Sequence, residues 1–180
     1  MSDDTKMIIV SALKKLSLKK PIEKITVSDI TAESGLSRQT FYRHFEDKYA
    51  LLNWYFDMIL KESFNQMGEG KTLKECLDKK FKYIDEERVF FKEAFRLDDM
   101  NSLKEHDFRL IYEFYLNRIY EKTHEEVDDN IRFLLEMYCN GSVFMTSKWL
   151  MNDEENDIVD LLIEAMPLKL RELFEEIKLL

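Results

Sequence analysis

An all-helical chain is what this sequence predicts, and three features carry the prediction. Among 180 residues there are only two prolines and four glycines, and the turns that join strands draw heavily on both. Leu, Lys and Glu are abundant, and these residues favour helix. Apolar side chains recur three and four apart, the period of an amphipathic helix. About nine helices are expected.

Residues 6 to 18, "KMIIVSALKKLSL", put Ile9, Ala12, Leu13 and Leu16 at helical spacing, with Lys14, Lys15, Lys19 and Lys20 as the polar complement. Pro21 ends that helix, because it has no N–H to continue the ladder. In "ITVSDITAESG", Thr26 precedes Asp29 by three residues, an N-cap signature in its Asp form. Val27 and Ile30 face inward, and Gly35 closes the helix as a residue able to take positive φ. Ser37 caps a second short helix, "RQTFYRHF". Helix, glycine turn and helix together make a helix-turn-helix outline. Asp47 caps the next helix, "KYALLNWYFDMILKESFNQM", with Leu51, Leu52, Tyr55, Phe56 and Ile59 on broad apolar faces. It is long enough to join two domains, expected at 1–47 and 48–180. "GEG" at 68–70 is the clearest break in the chain. Further helices are expected near 71–84, 87–97, 102–123, 127–151 and 155–178, with "NDEEN" at 152–156 as the last loop. The stretch from Ile131 to Met151 is apolar on more than one side, which predicts a largely buried helix.

On a helical wheel, Phe41 and Phe45 of the second short helix share one face and belong in the core. Gln39 and Arg43 lie almost opposite, flanked by Thr40 and His44 on one side and Tyr42 on the other. Arg38 sits in the first turn. Such a face suits the DNA major groove: Gln pairs with adenine, Arg with guanine, and Thr and Tyr hydroxyls reach phosphates. A polar face is equally what a solvated surface helix presents. The capped helix before it, the glycine turn and Lys48 just beyond favour the DNA reading.

The segment "ITVSDITAESGLSRQTFYRHFEDKYALL" resembles the DNA-binding motif of TetR/AcrR-type transcriptional regulators. The matching residues are Ile25, Thr26, Val27, Ile30, Ala32, Gly35, Ser37, Thr40, Phe41, Tyr42, His44, Phe45, Lys48 and Leu51. The resemblance implies an N-terminal three-helix DNA-binding domain and a C-terminal helical ligand-binding and dimerisation domain. It implies phosphate contacts from Thr26, Thr40, Tyr42, His44 and Lys48, and base contacts from Arg38, Gln39 and Arg43. Many such regulators carry a basic residue just after the cap of the first motif helix. Here that place holds Ser28 with Asp29 beside it, which shifts base reading onto the second helix.

The net charge of −9 argues against a polyanionic partner until it is divided along the chain. Residues 1–50 hold nine Lys and Arg against seven Asp and Glu, a balance of +2; residues 51–180 hold 18 against 29, a balance of −11. Fields fade over about 8 Å at physiological salt, so a distant acidic part interferes little with a local cationic surface. Few cations per subunit predict a shallow salt dependence of DNA binding.

Beyond residue 50 the chain is rich in large aromatics. Most belong to an ordinary core, yet aromatic-lined cavities between helices are common ligand sites. Buried Tyr and Trp also seek hydrogen-bond partners. The resemblance implies an effector pocket here, with Tyr83, Phe91, Tyr112, Tyr115 and Tyr138 as its candidate residues. It also implies a homodimer, formed by the last two long helices, that reads a palindromic operator in double-stranded DNA. The candidate interface stripes are Leu134, Tyr138, Ser142, Met145 and Trp149, and Ile158, Leu161, Leu162, Ala165, Leu168 and Leu173; the alternative is that both bury within one subunit. A fainter resemblance links "MYCNGSVFMTSKWLMND" to a subgroup that includes regulators of dihydroxyacetone kinase operons, some of which activate.

Other classes find little support. Cys76 and Cys139 lack ligand spacing and read as free buried thiols, and the three histidines make no zinc pattern. "GEGKT" at 68–72 resembles the end of a phosphate-binding loop, but Asn65 stands where the first glycine belongs and a helix precedes it. No G-x-S-x-G or H-E-x-x-H occurs, and acid pairs such as Asp98-Asp99, Glu125-Glu126 and Asp128-Asp129 read as solvated loop charges. An enzyme, a cofactor and a metal are therefore not expected. No stretch approaches the roughly 18 apolar residues of a membrane span, and the start has no signal-peptide pattern, so a cytoplasmic location is expected. The sequence-based expectation is a DNA-binding regulator, a repressor by family analogy, controlled by a small-molecule effector. The alternative is an activator or protein-interaction factor of the same fold that senses no small molecule.

Overall fold

A computed structural model describes residues 2–67, 70–97, 102–154 and 156–180. Among them are ten α-helices: α1 (Ser2–Ser17), α2 (Val27–Ser34), α3 (Arg38–His44), α4 (Lys48–Phe64), α5 (Leu73–Glu86), α6 (Arg88–Phe95), α7 (Leu103–Thr123), α8 (Asp129–Met151), α9 (Ile158–Glu164) and α10 (Leu168–Glu176). A 3₁₀ turn, Ile22–Lys24, joins α1 to α2. The expected break at Gly68–Glu69 and the acid pair Asp98-Asp99 lie outside the described residues.

Side chains satisfy the orphan N–H groups at most helix starts. Thr26 and Asp29 form a full capping box on α2, and Thr72 with Glu75 does the same for α5. Ser37, Asp47, Ser102, Asp128 and Asp157 cap α3, α4, α7, α8 and α9. Asp128 is thus a cap rather than a solvated loop charge.

The N-terminal helices close over one apolar centre. Ile9, Val10, Ala12 and Leu13 of α1 meet Ile22, Ile25, Ile30, Phe41 and Phe45, all buried. Each of the larger of these side chains contributes about 1.5–3 kcal/mol through burial. The first turns of α4 complete this head with Leu51 and Leu52, and the rest of α4 enters the larger helical part. There Tyr55 stacks on Phe91 at 6.1 Å, and Phe56 meets Phe91 and Phe95 edge-on. A polar node ties the two parts together: Lys14 of α1 donates to Tyr55 and to Glu87, each at 2.6 Å, and Tyr55 donates to Glu87 at 2.9 Å.

Two expectations fail here. The helix expected over 155–178 is two helices, broken at Pro167. Proline lacks the N–H a continuing helix needs, and it disfavours helical backbone in the residue before it. Arg171 closes the gap by donating to the carbonyls of Ile163 and Glu164 at 2.7 and 3.2 Å. The helix expected to be buried on more than one side, α8, is covered on one side only. Leu135, Tyr138, Cys139, Val143, Thr146, Trp149 and Leu150 face the core, while Phe133, Met137, Phe144 and Met145 face outward. Of the interface stripe expected on α8, Met145 is exposed and Leu134 and Ser142 are half-buried. Tyr138 and Trp149 pack inside the chain, and the exposed apolar line runs through Phe133, Met137 and Phe144. Of the second stripe, Leu161, Ala165 and Leu168 are exposed, whereas Ile158 and Leu162 are buried.

Candidate nucleic-acid interface and internal cavity

Helix α3 is pinned from beneath. Phe41 is 0% exposed and Phe45 5%; their rings lie 6.0 Å apart, and Phe45 continues onto Trp54 at 5.8 Å. With those two side chains inside, Gln39 and Arg43 must point out, and both are exposed. Gly35 makes the turn before α3 at φ 71°. That left-handed conformation penalises any residue with a Cβ, so the angle between α2 and α3 rests on a glycine there.

The remaining predicted DNA residues fall around this face, with different tasks. Tyr42 is 57% exposed, its ring edge-on to Phe41. Arg38 is exposed and its guanidinium donates to the Ser28 hydroxyl. A cation from α3 therefore lies against the position on α2 where the sequence shows no basic residue. Thr40 is half-buried, its hydroxyl 2.9 Å from that of Ser37, and His44 is half-buried beside Phe45.

Two of the residues expected at phosphates have partners within the chain. Lys48, expected at a phosphate, donates to the carbonyls of Ile22, Glu23 and Ile25 at 2.9, 2.6 and 3.0 Å. An ammonium has three protons, so this group closes the 3₁₀ turn against α4. The Thr26 hydroxyl donates to Asp29 at 2.8 Å and accepts from its N–H at 3.2 Å, which gives its one proton to the capping box. Lys20 also bonds Asp29 at 2.8 Å. That hydrogen bond, followed by those of the Thr26 N–H and hydroxyl, holds the Asp29 carboxyl well below the ordinary range.

The larger part holds a cavity of about 520 Å³ between α4, α5, α7, α8 and α9, open on the side of Lys61, Asn65, Glu113 and Asn117, within the usual range for small-molecule sites. Of the predicted effector residues, Tyr115 and Tyr138 line it; Tyr83, Phe91 and Tyr112 do not. Phe91 is consumed by the Tyr55–Phe56–Phe90 cluster, and Tyr112 stacks on Phe108 at 5.7 Å. Tyr83 is half-buried with Lys79 near its ring.

Sequence reasoning missed the polar centre of the cavity. Lys80 (3% exposed) and Asp107 (0%) form a buried ion pair at 3.0 and 3.3 Å. The Lys80 ammonium also lies 5.2 and 5.6 Å from the rings of Phe56 and Phe81. The signal was available. Lys80 falls on the apolar stripe of α5 with Leu73, Cys76, Leu77, Phe81 and Ile84, and Asp107 occupies the matching inward position of α7, four after Leu103. A charge on each of two facing apolar stripes implies that the two meet. Among the described residues no group of acidic, histidine or cysteine side chains could hold a metal, and no helix is long and apolar enough to cross a membrane.

Comparison with known proteins adds to this geometry. Residues 9–54 match the family described as bacterial regulatory proteins, tetR family, and residues 71–166 match a transcriptional regulator C-terminal region. A curated relative, the HTH-type dhaKLM operon transcriptional activator DhaS of Lactococcus lactis subsp. lactis (strain IL1403), is 30% identical over 115 residues, 64% of this chain. The match spans 60% of that relative's length. A solved structure described as dihydroxyacetone kinase operon activator DhaS superposes with a TM-score of 0.65 at 22% identity, over 97% of this chain and 96% of the other. The fatty acid degradation regulator FadR from Bacillus halodurans superposes with a TM-score of 0.52 at 18% identity, over 96% and 94%. Both structures share the fold.

Proposed function

This chain belongs to the tetR family of bacterial transcriptional regulators, and from that premise we propose that it is a homodimeric, operator-binding regulator controlled by a small molecule in its internal cavity. As a member of that family it regulates transcription and is not an enzyme. The observation that carries the DNA reading is α3: Gln39 and Arg43 stand exposed on a helix whose opposite face is locked by Phe41 and Phe45. In this reading residues 1–47 form the DNA-binding part and 48–180 the sensing and dimerising part. Arg38, Gln39 and Arg43 meet base edges, while Thr40, Tyr42 and His44 meet phosphates. The protein works in the cytoplasm, where the DNA is.

The exposed line Phe133, Met137 and Phe144 on α8, with Leu161 and Leu168 on α9 and α10, supports a second copy as its cover. Apolar residues this large and this exposed in one region mark an interaction surface, and a two-fold dimer pairs one such patch with itself. Two reading helices then face half-sites about 34–36 Å apart, or a multiple of that. A ligand in the cavity touches α4, which also carries the head, so it shifts the spacing of the two heads if it prefers one spacing over the other.

By family analogy the regulator represses. The relative that is an operon activator favours a second reading, in which this chain activates. A reporter in a strain lacking the chain separates the two, because expression rises for a repressor and falls for an activator. Selection of binding sites from random duplex DNA tests the reading itself. An enriched palindrome is expected, and Arg43→Ala then costs about 1–3 kcal/mol and relaxes one base position. No enriched site from the full-length protein would refute the DNA reading.

A further inference from the structure

We propose that the cavity takes a neutral, mainly apolar molecule whose one buried oxygen, a carbonyl or a hydroxyl, accepts a hydrogen bond from Tyr115. This rests on the reading of the cavity as an effector site and specifies its chemistry.

Four observations carry it. The first is the wall, which is mostly apolar: Leu60, Phe64, Leu77, Ile111 and Val143 line it, so most of the occupant's surface must be apolar too.

The second is the charge inside. Lys80 is the deeply buried cation of the wall, and Asp107 holds it with both carboxylate oxygens at 3.0 and 3.3 Å. A carboxylate entering beside Lys80 meets Asp107 as a like charge, and an ammonium beside Asp107 meets Lys80. At that depth neither ion finds an unpaired counter-charge, and each would lose its water; Lys61 and Glu113 line the cavity from its exposed side, and Asp57 and Arg118 are paired with His106 and Glu121.

The third is the state of the hydroxyls. Tyr138 donates to the Leu162 carbonyl at 2.9 Å, Ser142 to the Tyr138 carbonyl at 2.7 Å, and Thr146 to the Ser142 carbonyl at 2.8 Å. Their protons are engaged. Tyr115 differs. It lines the cavity and is 4% exposed, and among the described residues its hydroxyl meets no hydrogen-bond partner. Its ring is buried, but its oxygen is not sealed in the protein and opens onto the cavity, where a buried tyrosine seeks a hydrogen-bond partner. Burial also holds its ionisation well above the ordinary range, so it stays a donor at any working pH. A donor without an acceptor, in a mostly apolar chamber whose buried charges are paired with each other, specifies an oxygen on the guest.

The fourth is size. About 520 Å³ admits a molecule well beyond a few heavy atoms, so a three-carbon polyol would leave most of the apolar wall uncovered.

The test is calorimetric titration of the full-length protein, without DNA, with matched eight-carbon probes: 1-octanol, 2-octanone, octanoate and octylamine, with toluene as an apolar control. We expect the alcohol and the ketone to bind at least tenfold more tightly than the carboxylate and the amine. Tyr115→Phe should weaken the alcohol and ketone about fivefold, one net hydrogen bond of about 1 kcal/mol, and leave toluene unchanged. Because Tyr115 makes no bond within the chain, this variant keeps the wild-type melting temperature. Tighter binding of octanoate or octylamine overturns the proposal, as does no binding of either neutral probe, or a Tyr115→Phe variant that binds all probes alike. Operator affinity measured with and without octanol is a separate readout. If octanol binds as expected and operator affinity does not move, the ligand class stands and the sensing reading fails.

Discussion

The Lys80–Asp107 pair permits a quantitative test of how the larger part is held together. At 3.0 Å two unit charges attract by about 5 kcal/mol at an effective dielectric of about 20. Desolvating both ions costs several kcal/mol each, so the pair as a whole contributes little net stability. Breaking it is different. Asp107→Asn removes the counter-charge and leaves an ammonium whose side chain is 4% exposed, held only by aromatic faces and an amide oxygen. An uncompensated buried charge costs about 3–5 kcal/mol. With a urea m-value of about 2 kcal/mol per molar, the unfolding midpoint should fall by about 1.5–2.5 M. The double variant Lys80→Met/Asp107→Leu keeps the volume and removes both charges. It should lie within about 1 kcal/mol of the wild type, or above it. Urea titrations followed by tryptophan fluorescence, all at one protein concentration, give the three midpoints. A single variant costing less than about 1 kcal/mol would refute the reasoning, and so would a double variant as unstable as the single one.

Three further outcomes follow from the same geometry. Phe144→Asp places a charge on a side chain that is 68% exposed in the single chain and central to the proposed dimer face. Sedimentation equilibrium should show monomers with unchanged helix content, and a persistent dimer would move the interface elsewhere. Lys48→Met strips three carbonyls of their shared donor and should lower the melting temperature by an amount equivalent to about 1–3 kcal/mol. The salt dependence of operator binding should keep its slope; a slope shallower by about one would put this ammonium on a phosphate after all. Asp29, its carboxyl held low by Lys20 and then Thr26, stabilises the head when ionised. Its folded value lies below its unfolded value of about 3.9, so that stability is complete above the unfolded value and is lost as pH falls towards the folded one. In acid titrations followed by circular dichroism, Asp29→Asn should flatten the loss of stability below about pH 4, and equal slopes would show that other carboxylates dominate.

How much of this was legible beforehand differs between the two parts. In the head, signals are local. Thr26 and Asp29 lie three apart, Gly35 stands where only a left-handed turn fits, and Phe41 and Phe45 lie four apart. Each acts within one helical turn, so spacing alone fixes α2, the turn and the outward face of α3. A long polar side chain escapes such reading: Lys48 reaches back more than 20 residues to the 3₁₀ turn, and no local pattern announces that.

In the larger part the helices were legible but their facing was not. The α8 sequence is apolar on two sides, and only the placement of α7, α9 and α10 decides which side is covered. Five aromatics looked alike as pocket residues, yet Phe91 lies in a solid cluster and Tyr115 borders empty space. By itself the sequence determined what is set by contacts one turn apart: the helices, their caps and the presented face of α3. Only the tertiary structure decided which buried groups meet across elements, Lys80 with Asp107 and Tyr115 with a cavity. Burial and pairing depend on neighbours far away along the chain, and helical periodicity carries no record of who those neighbours are.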